Sequence, residues 1–290
     1  MKPRANGGAP TLLLSGESLL GVTRASRDRT LEVAARYQEP ESLAVTLARA
    51  QSAGADGVLV SPSQALRQAL AELKQSIPIY GLLPNVPEYV RDSSDVGLVG
   101  AAMKRVKRAS PATLVRLGIT GMTHAAGVLG SDFAAMMPIL LELEAASLGA
   151  KDLRGVVVAA PITDLALAGR HRGFFDHLVK FIHGRWRAQA GFETHNLGHL
   201  LRMLREWGVQ PDLVIGPVNP RGLLMKPSPD EVLAELKQAT VPVLAKELRA
   251  GGTVTLAEGA AYARAAGVHG LVPDLVDLED LGAELRALRG

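Results

Sequence analysis

Eight short runs of uninterrupted apolar residues, separated by longer stretches with helical periodicity, most constrain what this chain can become. The runs cover residues 11–15, 57–61, 78–83, 155–159, 189–192, 212–216, 242–246 and 268–272. Runs such as Gly57-Val58-Leu59-Val60 show no polar alternation, the pattern of a parallel strand buried on both faces. Between them, 41–53, 64–75, 173–187, 197–207, 229–238, 256–266 and 278–288 read as helices. In the first of these, Leu43, Leu47 and Ala50 share one face. Ser63 stands where a helix N-cap belongs, and Gly54 where a C′ glycine belongs. Eight βα units of this kind predict an α/β protein, a (β/α)8 TIM barrel, and such barrels run to about 250 residues as one domain. An open doubly wound sheet is the alternative, but no Gly-x-Gly-x-x-Gly follows the first run.

The rhythm breaks between the third and fourth runs. Residues 87–107 and 132–148 read as helices joined by the glycine-rich segment 118–130, which contains His124. The stretch 86–150 is therefore expected to be a helical insertion within one barrel domain spanning 1–290.

Composition narrows the function classes. The 290 residues are 47% hydrophobic and 21% charged, enough apolar material for a large core. With a net charge of only +3 and basic runs that suit solvated helix faces, a nucleic-acid partner is not expected. No run approaches the ~18 apolar residues of a membrane span. Thr11 to Leu14 is too short for a signal-peptide core, so a cytoplasmic location is expected. The absence of cysteine rules out disulfides, thiolate metal sites and a cysteine nucleophile. Abundant Ala, Leu, Arg and Pro without Cys suits a thermophile. A homo-oligomer stays open.

In a barrel of this type the active site lies at the C-terminal ends of the strands. Those ends carry Glu17, Ser61, Asn85, Thr163 with Asp164, Glu193 with His195 and Asn196, Asn219, Lys246 with Glu247, and Asp274. Glu193, His195 and Lys246 are the candidate catalytic residues; Glu17, Asn85, Asp164, Asn196 and Asn219 are candidates for substrate binding. Glu193 and Lys246 end strands two apart, and alternate strands share layers inside a barrel, so the two are expected to meet. A lysine whose pKa is lowered by burial can form a Schiff base beside a proton-moving carboxylate; a buried ion pair is the other reading. His195 can act as an acid or base near neutral pH. Asn196 also suits a helix N-cap. Gly251 and Gly252, before the helix starting near Thr255, resemble an anion or cofactor phosphate pocket, or else form a simple turn. Glu193, His195 and Asp164 lack the spacing of a metal motif, so no metal is expected.

Several segments resemble aldo-keto reductases. Residues 191–200 and 211–220 resemble the fifth and sixth strands of those barrels, and 241–252 the seventh strand with its glycine loop. The segments 87–91, 163–167 and 219–228 resemble more closely an uncharacterised prokaryotic barrel group related to them. The resemblance implies the barrel fold. It does not imply the chemistry: the reductases use an Asp and a Tyr after strand two, a Lys on strand three and a His on strand four. Here those strands end Val60-Ser61-Pro62, Leu83-Pro84 and Ala159-Ala160-Pro161. Glu193-Thr194 replaces the Ser-Asn pair that holds the nicotinamide, and Lys246 replaces the aromatic that stacks on it. The expected function is an enzyme acting on a small polar metabolite, carbonyl or phosphorylated, with the cofactor undetermined. The alternatives are a divergent oxidoreductase binding a nicotinamide or flavin, and a non-enzymatic binding or assembly protein on a degenerate barrel.

Overall fold

A computed structural model describes residues 8–20, 26–37, 39–88, 90 and 133–289. The strands are β1 (Leu13–Ser15), β2 (Gly57–Val60), β3 (Ile79–Leu83), β4 (Leu153–Val158), β5 (Gln189–Glu193), β6 (Leu213–Pro217), β7 (Val243–Lys246) and β8 (Gly270–Leu271). They lie in chain order in one sheet, every neighbouring pair parallel. Parallel bridges Leu12 to Leu271 and Ser15 to Asp274 bring the last strand back to the first. The fold is the (β/α)8 barrel read from the sequence.

The helices are α1 (Arg27–Arg36), α2 (Pro40–Ser52), α3 (Gln64–Glu72), α4 (Phe133–Leu148), α5 (Ala160–Ala168), α6 (Arg172–Trp186), α7 (Leu197–Trp207), α8 (Pro229–Leu236), α9 (Leu256–Ala265) and α10 (Leu281–Arg289). None in the described residues is long and apolar enough to cross a membrane. Two of them have no counterpart in the periodicity reading. Among its described side chains α1 buries one apolar residue, Val33, and its Leu31 is exposed. α5 is apolar on nearly every side, so it shows no amphipathic period. α4 packs against β3 and α6 and serves as the crossover helix between β3 and β4. The remainder of the expected insertion, including most of the helix at 87–107 and His124, lies outside the described residues.

Alternation along the strands sorts side chains between two cores. Leu13, Leu59, Tyr80, Leu82, Val157, Leu213, Ile215 and Leu244 fill the lumen. Their chain neighbours Leu12, Leu14, Val58, Val60, Val156, Val158 and Val214 pack outward under the helices. At the N-terminal end of the lumen Tyr80 occupies the space left by Gly57 and Gly155 on the flanking strands, and its hydroxyl donates to Gln189 Oε1 at 2.9 Å. A Cβ on Gly155 would fall 2.3 Å from Tyr80 Cδ1. Gly155→Ala is therefore expected to destabilise the barrel by about 1–3 kcal/mol through overpacking. Urea unfolding measures it, and an unchanged midpoint would contradict this packing.

Candidate functional site

Lumen parity decides which strand-end residues reach the barrel mouth. Phe192 faces outward, its ring 4.9 Å from that of Phe175 on α6, which leaves Glu193 pointing inward. Lys246 lies two residues beyond the lumen residue Leu244, and so also points inward. Glu17 joins them from the 3-10 turn Glu17–Leu20 that follows β1. The Lys246 ammonium donates to Glu17 Oε2 at 2.6 Å and to Glu193 Oε1 at 2.5 Å. All three side chains are largely withdrawn from solvent. The other Glu193 oxygen accepts from the Ala160 backbone N–H at the start of α5.

This arrangement separates the two carboxyls. Burial pushes Glu17 up to about 8; the Glu193 charge adds to the shift, and Lys246 only partly opposes it. Burial also acts on Glu193, but the Lys246 charge and hydrogen bond, together with the Ala160 N–H, outweigh it and hold Glu193 below its ordinary value. Lys246 itself is held above the ordinary lysine range, because two carboxyls outweigh its desolvation. Of the two readings left open for Lys246, these contacts favour the buried ion pair over a lysine lowered by burial.

A cavity of about 730 Å³ opens above these three groups. Ser15, Ser61, His195 and Asp274 also line it. Its other wall is apolar, with Leu82, Pro84, Val86, Pro161 and Val272. Arg29, Glu247, Arg249, Gly251, Gly252 and Glu279 stand around it as well. Ser15, Arg29, Arg249 and Glu279 were not among the strand-end candidates. Ser15 follows from the parity of Leu13, whereas Arg29 lies on the helix that periodicity did not reveal.

The remaining candidates take other places. Asp164 lies inside α5, not at a strand end; strand four stops at Val158. Its carboxylate accepts a hydrogen bond from the Thr194 hydroxyl and, at 3.1 Å, from the His195 backbone N–H, and it lies 3.4 Å from His195 Nδ1. It thus positions the turn after β5. Asn85 is spent on structure: its side-chain amide donates to Pro62 O and Glu88, and its backbone N–H to Glu144. The Asn219 side chain clasps its own loop, donating to Leu223 O at 3.0 Å and accepting from Leu223 N at 2.9 Å. Asn196 occupies the N-cap position of α7 without a side-chain hydrogen bond to the helix. Gly251 and Gly252 have positive φ and border the cavity. The α9 terminus beyond them carries a Thr255–Glu258 capping box, so its charge is already met by a carboxylate.

No known protein family and no curated protein matches the chain. Several solved structures are similar, two of them the following. The apo form of Gox0644 shares 13% identity and a TM-score of 0.46, over 86% of this chain and 78% of that one. An aldo/keto reductase from Brucella melitensis shares 12% identity and a TM-score of 0.46, over 100% of this chain and 93% of that one. The likeness is distant. Among the described residues that line the cavity, His195 carries an aromatic ring, and none is Phe, Tyr or Trp. Among the described residues no group of three or more His, Asp or Glu side chains is arranged to hold a metal ion.

Removing one partner of a buried pair leaves uncompensated charge, at a cost of about 3–5 kcal/mol. Lys246→Met leaves Glu17 and Glu193 buried without a cation. Both would then hold protons more tightly folded than unfolded, so stability is retained at low pH and lost as the pH rises. The expected loss is larger at pH 9 than at pH 5, read by urea unfolding at both; equal losses would argue against a charged Lys246 between the two carboxyls.

Proposed function

We propose that the protein is an enzyme that moves a proton on a small polar metabolite bearing a carbonyl group, at the C-terminal mouth of the barrel. The observation that carries this reading is the Glu17–Lys246–Glu193 cluster under an open cavity: a carboxyl that titrates near 8 beside a fixed ammonium. A general acid or base works best with a pKa near the operating pH. Lys246 has three N–H donors and uses two on Glu17 and Glu193, which leaves one for a substrate oxygen. Ionised Glu17 takes a proton from the carbon beside the carbonyl, and the electron pair moves onto the carbonyl oxygen. Lys246 stabilises the resulting enolate, and Glu17 returns the proton. Glu193 stays ionised and keeps the lysine charged and in place. His195, at the rim, is a second acid or base whose turn Asp164 holds. Arg29 and Arg249 stand at the same cavity, with Arg29 paired to Glu32 at 2.7 Å and donating to the carbonyls of Val276 and Leu278 at 3.2 and 2.7 Å.

The test is hydrogen exchange in deuterated water. A panel of hydroxyketones, 2-oxo acids and sugar phosphates is incubated with the protein, and loss of the C–H signal beside the carbonyl is followed by proton NMR. Exchange is expected with at least one class, its rate rising with pH through about 8 as Glu17 ionises. Glu17→Gln should abolish it. Lys246→Met should slow it by about 100- to 1,000-fold, the usual effect of losing one donor to a developing oxyanion. Exchange with no class, or a rate indifferent to Glu17→Gln, would overturn the proposal. A separate expectation concerns the lysine: borohydride with candidate aldehydes should leave Lys246 unmodified, since an ammonium is no nucleophile. A reduced adduct at Lys246, found by peptide mass, would restore Schiff-base chemistry.

A further inference from the structure

Barrel closure brings a third carboxyl to the same corner. Asp274 follows β8 and bridges to Ser15 on β1. Ser15 Oγ lies 2.9 Å from Asp274 Oδ2 and 3.5 Å from Glu17 Oε2, and it accepts the Glu17 backbone N–H at 3.2 Å. One hydroxyl proton therefore faces two carboxyl oxygens. We infer that Ser15 and Asp274 are a proton relay for Glu17, with Asp274 the reservoir at its inner end. This rests on the reading of Glu17 as the acid–base group.

The transfer balances. A protonated Glu17 gives its proton to Ser15 Oγ, and the Ser15 hydroxyl proton passes to the ionised Asp274 at Oδ2. One O–H bond breaks at Glu17 and one at Ser15, while one forms at Ser15 and one at Asp274. The negative charge moves from Asp274 to Glu17, and no other reactant is needed.

Asp274 is equipped for both charge states. Its Oδ2 also accepts from the Ser18 backbone N–H at 3.3 Å, and its Oδ1 from Val276 N–H at 3.0 Å, donors that support the carboxylate. Burial works the other way and raises its pKa, so a proton is retained there more readily than on an ordinary aspartate. On the Glu17 side, Lys246 from β7 and Glu193 from β5 set the charge. Arg29, Glu247, Arg249, Glu279 and His195 complete the charged lining of the cavity. Ser15 and Asp274 both border the cavity, so the relay opens onto the space where substrate would lie.

The test needs no substrate. Full-length protein with carbon-13 in its Glu and Asp carboxyl groups is titrated by NMR, and the Glu17 and Asp274 signals are assigned by substitution. Asp274→Asn should lower the Glu17 midpoint, because a neighbouring negative charge is removed. Near that midpoint, Ser15→Ala should broaden the Glu17 signal by slowing its proton exchange, and Ser15→Thr, which keeps the hydroxyl, should restore the wild-type line. A Glu17 midpoint unmoved by Asp274→Asn, or line widths indifferent to the Ser15 hydroxyl, would overturn the relay. If Ser15→Ala does not fold, the Asp274→Asn midpoint and the Ser15→Thr line decide. A metabolite panel without exchange would sink the proposed reaction yet leave these titrations as they are.

Discussion

The Lys246 ammonium sits 2.6 Å from one carboxyl and 2.5 Å from another, and most of what the barrel mouth can do depends on that placement. Three separate stretches of chain, β7, the end of β5 and the turn after β1, meet at this single group. Burying two carboxyls this close would be costly without it. With one cation between them the carboxyls cannot be equivalent: Glu193 gains a further hydrogen bond from Ala160 and stays ionised, while Glu17 absorbs the mismatch and titrates near 8. A structural ion pair would be complete with Glu193 alone. Here a second carboxyl, Glu17, shares the same ammonium under an open cavity.

The cluster forms because of strand parity. In a closed parallel barrel, successive residues alternate between the lumen and the helical shell, and the register is held by both neighbours of every strand. Phe192 is anchored on Phe175, so Glu193 must face inward; Leu244 fills the lumen, so Lys246 must as well. Asn85 and Asn219 carry equally suitable side chains, yet Asn85 is spent on Pro62 and Glu88 and Asn219 on the backbone of its own loop. The cavity that results is divided, with charge on the side of β1, β5 and β7 and an apolar wall including Leu82, Pro84 and Pro161.

Much of this was legible in the chain. The eight apolar runs coincide with the eight strands to within two residues at either end. The contact between Glu193 and Lys246 followed from their ending strands two apart. The misplacements share one cause. α5 is apolar on almost every side, so no period marked it, and Asp164 was read as a strand end instead of a helical residue one turn farther on. Arg29 was missed because α1 buries a single large apolar residue and shows little of the pattern by which helices are found.

The sequence by itself determined the barrel, the alternation of its elements and the supply of ionisable groups at the strand ends, because hydrophobic periodicity is local and survives in one dimension. Only the tertiary structure decided which of those groups share a cavity and what state each is in. Protonation depends on burial and on the charges that other strands bring within a few ångströms, and neither is visible along the chain. Glu17 and Asp274 stand 257 positions apart in sequence, and closure of β8 against β1 places one serine hydroxyl between them.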